Sequence, residues 1–365
     1  MKKVEYGFSK GGVAKEGVIR FQVTEFDDVG WSETDEEQSI NVINAPEVDA
    51  KRLAAMREEP HYSKIARLGE DAIEYALLNH EASEGNGVIL YNMGAGGNKD
   101  HPVGAREAEV LAFANPDKQI LLINNTGSGQ SSLVPRDIMK QMKTDGIYGP
   151  QGEWMLRILE KQLEPYGDKI EIWGNSAGAR VAMGMAAAVA AVGQNIANLR
   201  VVGPLSATDM TPLGFYAQLA LMGKAAGNYG KSSPYNETLE LCYTEKSGKK
   251  KRIKPNWTTQ KGAFVDNMWN YQMAMRHASG MEADLNGAMT SVQEDITIIQ
   301  PEFSKFATPS QMYSRLLRIA IDQEHVFRLH PELRHIIIKN HTDAISSEGA
   351  GARPQVTLYE IAKQR

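Results

Sequence analysis

One serine of this chain lies in a sequence context that suits nucleophilic catalysis. Residues 169–185, KIEIWGNSAGARVAMGM, predict a short apolar strand, a tight turn and an Ala-rich helix, with Ser176 in the turn. Gly174 and Gly178 flank the serine, and a G-x-S-x-G sequence between a strand and a helix is the pattern of a nucleophile elbow. The N-terminus of the helix favours negative charge that develops during attack. A glycine-rich turn with an incidental serine has the same local sequence, so the neighbouring segments must decide.

Two strand–loop segments lie upstream of this turn. Residues 87–100, GVILYNMGAGGNKD, predict a buried strand at 88–91 that runs into a glycine-rich loop. Residues 119–132, QILLINNTGSGQSS, predict a second strand that ends in a turn containing Gly127 and Gly129. From residue 87 onward strands and helices alternate, which is typical of a mostly parallel sheet with helices on both faces. The further predicted strands are 170–173, 199–202, 296–299 and 335–339, and the predicted helices are 105–114, 152–164, 177–192 and 310–322.

With these motifs in this order, the chain resembles the α/β-hydrolase superfamily. Met93, Gly94 and Ala95 stand where the family has an H-G-type oxyanion loop, and residues 124–131 stand where it has a D-x-R-G-x-G-x-S-like turn. The turn glycines are kept, but the family's His, Asp and Arg are replaced. The replacements, which argue against close kinship with the best-known esterase and epoxide-hydrolase branches, are Met93, Asn124 and Thr126. The resemblance implies an α/β-hydrolase fold, a mostly parallel sheet flanked by helices, with an inserted and mainly helical cap.

The resemblance also implies a histidine base and an acid that follow Ser176 in the chain. Among the eight histidines, His341 lies just past the last predicted strand, where the family places its base. The family's acid position is the loop after strand 296–299, whose only carboxylate is Glu302. Asp209, after strand 199–202, is the alternative acid. We therefore expect a catalytic triad of Ser176, His341 and Glu302, with Asp209 as the competitor for the acid.

Acyl transfer needs two N–H donors for the negative oxygen of the tetrahedral intermediate. The first expected donor is the backbone N–H of Ala177, directly after the serine. The second is expected from the glycine loop, where Gly94 matches the family glycine and Ala95 follows it. A tight structural turn or a phosphate-binding loop is the alternative, but neither G-x-x-x-x-G-K-[ST] nor G-x-G-x-x-G is completed. No metal-binding spacing occurs in the sequence, so we expect neither a metal nor another cofactor.

Composition sets limits that agree with this interpretation. The chain has 365 residues, 42% of them hydrophobic, which suffices for one large domain or a core domain plus a cap. A net charge of −5 does not suggest a nucleic-acid or membrane partner. The single cysteine, Cys242, excludes an intrachain disulfide, and no signal-peptide core follows the N-terminal residues. We expect a cytoplasmic protein that acts on a small acyl substrate with an apolar part and is compatible with homo-oligomer formation.

The segment 211–292 interrupts the alternation of strands and helices. It is rich in Met and aromatic residues and is mainly helical by its sequence, so we assign it to the cap, with 1–210 and 293–365 as the core. Its basic run 246–254 is interpreted as a solvated loop or hairpin tip rather than as a nucleic-acid site. In the N-terminal part, a strand is expected within 17–26 and an amphipathic helix at 63–80, both adding an antiparallel edge and cover.

The motifs favour a serine hydrolase that cleaves a carboxylic ester or related acyl bond through an acyl-enzyme on Ser176. Two alternatives remain open at this stage, because a fold does not establish a function. A receptor-like or otherwise non-catalytic ligand-binding protein would keep the pocket without turnover. An acyltransferase would use the same triad and differ only in the group that attacks the acyl-enzyme.

Overall fold

The structure is a computed structural model that describes residues 2–6, 21–26, 61–94, 97–99, 111–112, 115–192, 194–203, 208–215, 217, 242–244, 250–252, 273–301, 307–322 and 332–338. Its strands are, in chain order, β1 Lys2–Tyr6, β2 Phe21–Phe26, β3 Ser63–Leu68, β4 Asp71–Leu78, β5 Val88–Asn92, β6 Gln119–Ile123, β7 Ile170–Asn175, β8 Ile196–Val202, β9 Cys242–Thr244, β10 Lys250–Arg252, β11 Val292–Pro301 and β12 Glu332–Ile338. Its α-helices are α1 Arg136–Asp145, α2 Gly149–Leu163, α3 Ala177–Ala188, α4 Ala278–Ala288 and α5 Pro309–Asp322.

Ten strands form one sheet in the order β1-β2-β12-β11-β8-β7-β5-β6-β4-β3, and β9 and β10 form a separate hairpin. All neighbours from β6 across to β2 are parallel. Antiparallel pairing is confined to the two edges, where β4 pairs with β6 and β3, and β1 pairs with β2. The predicted fold class, α/β with a mostly parallel sheet, is therefore confirmed, and N-terminal segments supply antiparallel strands at both edges.

Alternate side chains of the central strands enter two apolar layers. Leu90 and Ile172 point into the layer that also contains residues of α2, α3, α4 and α5. Tyr91 and Trp173, one position further along, point into the opposite layer, which includes the helical residue Leu111. Because both faces are buried, these strands are continuous apolar runs, as expected for parallel strands covered by helices.

Small residues let α2 and α4 pack closely against α3. A Cβ atom on Gly152 of α2 would lie 2.4 Å from the backbone of Gly184, and one on Gly287 of α4 would lie 2.7 Å from the Cβ of Ala187. The Ala- and Gly-rich composition of α3 therefore reflects backbone-to-backbone approach between helices. No helix in the described ranges is both long and apolar enough to cross a bilayer.

A buried carboxylate connects these three helices. Asp284 of α4 accepts hydrogen bonds from the backbone N–H groups of Tyr148 (2.9 Å) and Gly149 (3.0 Å), at the start of α2. Burial raises the pKa of Asp284 to about 7, and the guanidinium of Arg180 on α3 opposes that shift. The side chain of one helix thus provides the N-terminal cap of another, a role that no local sequence motif indicates.

The helix predicted at 63–80 is wrong, because this segment forms the β3–β4 hairpin. The two strands are joined at Gly69, whose φ of +63° lies outside the α-helical region. β4 lies between β3 and β6, so Ile73 packs in one apolar layer and Ala76 in the other. Because both faces of β4 are buried, its sequence shows no alternation of polar and apolar residues. The spacing of its apolar residues also matches that of an amphipathic helix, which is why a helix was predicted.

Only parts of the predicted cap, 211–292, lie within the described residues. Its last helix, α4, packs on α3 and contributes Met281 and Leu285 to the main apolar layer, so this part of the segment belongs to the core. The basic run 246–254 includes β10 of the small hairpin. Residues 216, 218–241, 245–249 and 253–272 of the predicted cap fall outside the described residues, as does much of the region before residue 61.

His335 of β12 generates a prediction about acid stability. The side chain is fully buried, and burial lowers its pKa from 6.5 to about 4. Between pH 6.5 and about 4 the His335 side chain is protonated in the unfolded chain but neutral in the folded chain. Proton binding therefore stabilises the unfolded state, and the unfolding free energy decreases as the pH falls through this range. At pH 5 the unfolding free energy should be about 2 kcal/mol lower than at pH 7.5 from this residue alone.

His335→Gln keeps an N–H donor but cannot titrate, and it should reduce the difference in unfolding free energy between pH 7.5 and pH 5 measured by urea denaturation. His61→Gln, which changes an exposed histidine, is the control and should leave that difference unchanged. A His335→Gln protein with the same pH dependence as the unaltered chain would contradict the assignment.

Candidate active site

Ser176 connects β7 to α3 and has an unusual backbone conformation. Its φ of 52° and ψ of −116° lie in a region that non-glycine residues rarely occupy. Its N–H donates to the carbonyl of Val202 at the end of β8 (2.8 Å), while its hydroxyl does not cap the helix. The side chain is half-buried. A serine held in a strained turn at a helix N-terminus is the geometry of a nucleophile elbow.

The two flanking glycines are required by backbone contacts. A Cβ atom on Gly174 would lie 2.2 Å from the carbonyl oxygen of Gly178, and one on Gly178 would lie 2.1 Å from the carbonyl oxygen of Asn92. No side chain fits at either place. The G-x-S-x-G sequence is therefore explained by the close approach of α3 to the ends of β5 and β7.

The glycine loop, defined as residues 93–99, begins beside the serine. A Cβ atom on Gly94 would lie 3.5 Å from the Cβ of Ser176, which is ordinary van der Waals contact. The carbonyl of Gly94 accepts hydrogen bonds from the side chain of Asn125 (2.5 Å) and from the N–H of Gly97 (2.9 Å). Ala95, the predicted second oxyanion donor, lies outside the described residues. Ala177, the predicted first donor, is the first residue of α3 and is fully buried.

The strand order places this loop and the serine at one crevice. After β5 the chain moves to β6 on one side, whereas β7 lies on the other side of β5. Leu111, which follows β5, packs on the opposite face of the sheet from α3. Such a reversal opens a crevice at the carboxyl ends of the strands, where open α/β sheets bind ligands. Gly94 and Ser176 come directly after the two strands that border it.

The histidines within the described ranges are engaged elsewhere. The rings of His61 and His80 stack with centroids 4.6 Å apart, and His80 follows β4 at the amino-terminal end of β6. The Nε2 atom of His277 lies 3.2 Å from a carbonyl oxygen of α1, and that of His335 lies 3.1 Å from a side-chain amide oxygen of β11. His341, the predicted base, lies outside the described residues.

Asp209, the alternative acid, has a structural partner. Its Oδ1 accepts a hydrogen bond of 2.8 Å from the N–H of Ala278, the first residue of α4. Glu302, the preferred acid, directly follows β11 but lies outside the described residues. The ends of β11 and β12 are paired in parallel, with Pro301 opposite Ile338, so Glu302 and His341 follow neighbouring strand ends.

Sequence reasoning missed several polar residues at this edge of the sheet. A small cleft lies at the carboxyl ends of β5 and β6, and one residue that lines it, Gln151, has a side-chain Oε1 that is buried without a hydrogen-bond partner. The cleft is lined by Asn92, Ile123, Asn124, Asn125, Thr126, Gln151, Met155 and Val181. A water molecule or a polar group of a ligand would satisfy Gln151 there. Within the described part of the chain, no group of three or more His, Cys, Asp or Glu residues is arranged to bind a metal.

No protein-family model matches the sequence, and no curated protein sequence matches it significantly. Solved structures do match. A lipase-esterase related protein from Clostridium acetobutylicum is 12% identical over 80% of this chain and 97% of its own, with a TM-score of 0.47. E-2-(acetamidomethylene)succinate hydrolase is 16% identical over 82% of this chain and 97% of its own, with a TM-score of 0.46. An esterase of M. tuberculosis is 14% identical over 88% of this chain and 97% of its own, with a TM-score of 0.43.

The described residues form the α/β-hydrolase fold. It has the mostly parallel sheet with an elbow turn between a central strand and the following helix, and a glycine loop after the neighbouring strand. The resemblance stated from the motifs therefore holds at the level of the fold.

The contact at Gly178 generates a prediction about stability. Gly178→Ala forces a Cβ atom into backbone oxygens at the β5 end, so the unfolding free energy should fall by about 1–3 kcal/mol or more, measured by urea denaturation. Gly149→Ala is the matched control, because it also places a methyl group in the first turn of a helix, but with its nearest neighbour at 3.6 Å. Equal stability of the two variants would contradict the close approach of α3.

Proposed function

We propose that this chain is a serine hydrolase that cleaves a carboxylic ester or related acyl bond through an acyl-enzyme on Ser176. The observation that carries the proposal is the strained backbone of Ser176 at the N-terminus of α3, next to Gly94 of the glycine loop, where an added Cβ atom would lie 3.5 Å from the Cβ of Ser176. A non-glycine residue in this conformation costs about 1–3 kcal/mol, and such strain clusters at functional sites. An incidental serine would gain nothing from it.

In the proposed mechanism, the Oγ of Ser176 attacks the acyl carbon while His341 removes the hydroxyl proton. The carbonyl oxygen becomes negative and accepts hydrogen bonds from the N–H groups of Ala177 and Ala95. Collapse of this tetrahedral intermediate expels the leaving group, which takes the proton from the imidazolium, and leaves Ser176 acylated. Water, deprotonated by His341, then attacks the acyl-enzyme, and the acid product and the free serine are released.

Glu302 is the proposed orienting acid. Asp209 is the weaker candidate because its carboxylate is already used at the N-terminus of α4, where it accepts the N–H of Ala278. A carboxylate at a helix N-terminus has a structural reason to be there, independent of catalysis.

The proposed substrate is a small acyl compound with an apolar part. The predicted cap, 211–292, is rich in Met and aromatic residues, a composition that would suit an apolar pocket above the sheet edge. We also infer a cytoplasmic location from the single cysteine, which fits a reducing compartment.

Removal of the serine hydroxyl is the first test. Ser176→Ala should abolish covalent labelling by a fluorophosphonate probe and hydrolysis of p-nitrophenyl esters, because no other described serine lies at an elbow. Its thermal unfolding should be nearly unchanged. Ser314→Ala, which removes an exposed hydroxyl from α5, should label like the unaltered chain. Labelling retained at another serine would overturn the nucleophile assignment, and an unaltered chain that neither labels nor hydrolyses would favour the ligand-binding alternative.

Substitution of the base and of the two acids is the second test. His341→Ala should lower kcat by several orders of magnitude, because the serine then lacks a base. Glu302→Gln should lower kcat by up to about 10⁴-fold, following the effect of losing the triad carboxylate in serine proteases. Asp209→Asn should affect kcat mildly and lower stability by no more than about 1 kcal/mol, because the Asn Oδ1 still accepts the N–H of Ala278 and only the charge at the helix N-terminus is lost. Steady-state kinetics and urea denaturation distinguish these results. A strong loss of kcat in Asp209→Asn with a mild loss in Glu302→Gln would transfer the acid role to Asp209.

A further inference from the structure

Glu74 of β4 is a buried carboxylate with four hydrogen-bond and ion-pair donors. The Nζ of Lys99 lies 3.3 Å from its Oε1, and the two side chains are only 4% and 6% exposed. Its Oε2 accepts the side-chain amide of Asn124 (3.0 Å) and the backbone N–H of Gln130 (2.7 Å). Ser63 donates its hydroxyl more weakly, at 3.4 Å. The proposed acyl chemistry involves none of these groups, so this cluster needs a separate explanation.

The turn after β6 is built around this carboxylate. Gly129 has a φ of +58°, and a Cβ atom there would lie 2.1 Å from the Oε2 of Glu74. Asn124 uses both ends of its amide, since Nδ2 donates to Glu74 and Oδ1 accepts the backbone N–H of Lys99 at 2.6 Å. An Asp at this position could not donate, and its carboxylate would repel that of Glu74. The replacement of the family's Asp by Asn124 therefore follows from the presence of Glu74.

Lys99 fixes the far end of the glycine loop. Besides its ion pair and its N–H bond to Asn124, its carbonyl accepts the hydroxyl of Tyr62 at 2.9 Å, and its ammonium lies 5.4 Å from the centre of the Tyr62 ring. The side chain and the backbone of Lys99 thus bond to Glu74 of β4, to Asn124 directly after β6, and to Tyr62. The loop cannot shift at this end without breaking a buried ion pair.

Asn125, the next residue after Asn124, holds the near end of the same loop. Its Nδ2 donates to the carbonyl of Gly94, and its N–H donates to the carbonyl of Gly97 at 3.2 Å. Gly94 in turn lies beside Ser176, since a Cβ atom added to Gly94 would be 3.5 Å from the Cβ of the serine. The two residues that follow β6 therefore connect the Glu74 cluster to the part of the loop that lies against the serine.

We propose that Glu74, through Asn124 and Lys99, is a positioning residue that holds the glycine loop in the geometry needed for the oxyanion. This inference rests on the proposed hydrolase function. An oxyanion donor is effective only if its N–H points at the oxygen before the charge develops, because the free energy of reorienting it during the reaction would offset the stabilisation of the transition state. The Glu74 cluster supplies that rigidity from outside the site, and Glu74 itself touches no substrate atom.

The test compares two Lys–Glu pairs at opposite ends of the same sheet, one with both side chains buried and one with Lys118 partly exposed and Glu171 buried. Lys99→Met breaks the pair at the carboxyl end of β6, and Lys118→Met breaks the pair with Glu171 at its amino end, far from the serine. Lys99→Met and Asn124→Asp should each lower the fluorophosphonate labelling rate of the folded protein about tenfold or more. Hydrogen exchange of peptides covering residues 93–99 should accelerate in both. Lys118→Met should change neither quantity, whatever its effect on thermal stability.

Relief of the charge clash is the second arm. In the double variant Glu74→Gln with Asn124→Asp, only one carboxylate remains, so part of the labelling rate lost in Asn124→Asp should return and the exchange of 93–99 should slow. A double variant no faster than Asn124→Asp, or equal losses in Lys99→Met and Lys118→Met, would overturn the positioning role. Absence of labelling in the unaltered chain would instead overturn the proposed function, and the exchange measurement would still decide whether the cluster holds the loop.

Discussion

The close approach of α3 to the ends of β5 and β7 is the constraint on which the site depends. Backbone oxygens of Asn92 and Gly178 occupy the positions where side chains at Gly178 and Gly174 would begin. This packing forces the chain to reverse within one residue after β7, which places Ser176 at a positive φ with its side chain half-buried. The strain at the serine is therefore maintained by the packing of a complete helix, including its close contacts with α2 and α4.

Both ends of the parallel strands carry polar side chains, and only those at the carboxyl end are attached to the glycine loop. At the carboxyl end, Asn92, Asn124 and Asn125 follow or end the strands beside the elbow, and their amides bond to backbone of the glycine loop and of β7. At the amino end, Lys118 pairs with the buried carboxylate of Glu171, and the Trp173 indole donates to the same carboxylate at 2.9 Å. The two Lys–Glu pairs thus have different consequences, because only the Lys99–Glu74 pair at the carboxyl end is attached to a loop beside Ser176.

The parts of the fold that were predicted correctly are those with a strong local pattern. The strands predicted at 88–91, 170–173 and 296–299 lie within β5, β7 and β11, and the helix predicted at 310–322 lies within α5. The β3–β4 hairpin was missed because β4 is buried on both faces and lacks the alternation of a surface strand. That error also hid Glu74, whose place between Ile73 and Tyr75 in an apolar segment was the available signal.

The sequence by itself determined the elbow, the glycine loop, the alternation of strands and helices and the order of the motifs. These features depend on steric limits at glycines and on the periodicity of apolar residues, which act between near neighbours in the chain. Tertiary structure decided which polar groups meet: Glu74 with Asn124 and Lys99, Asp284 with the start of α2, and Asp209 with Ala278. Such partners are far apart in the chain, and they come together only through strand order and helix packing, which local sequence does not specify.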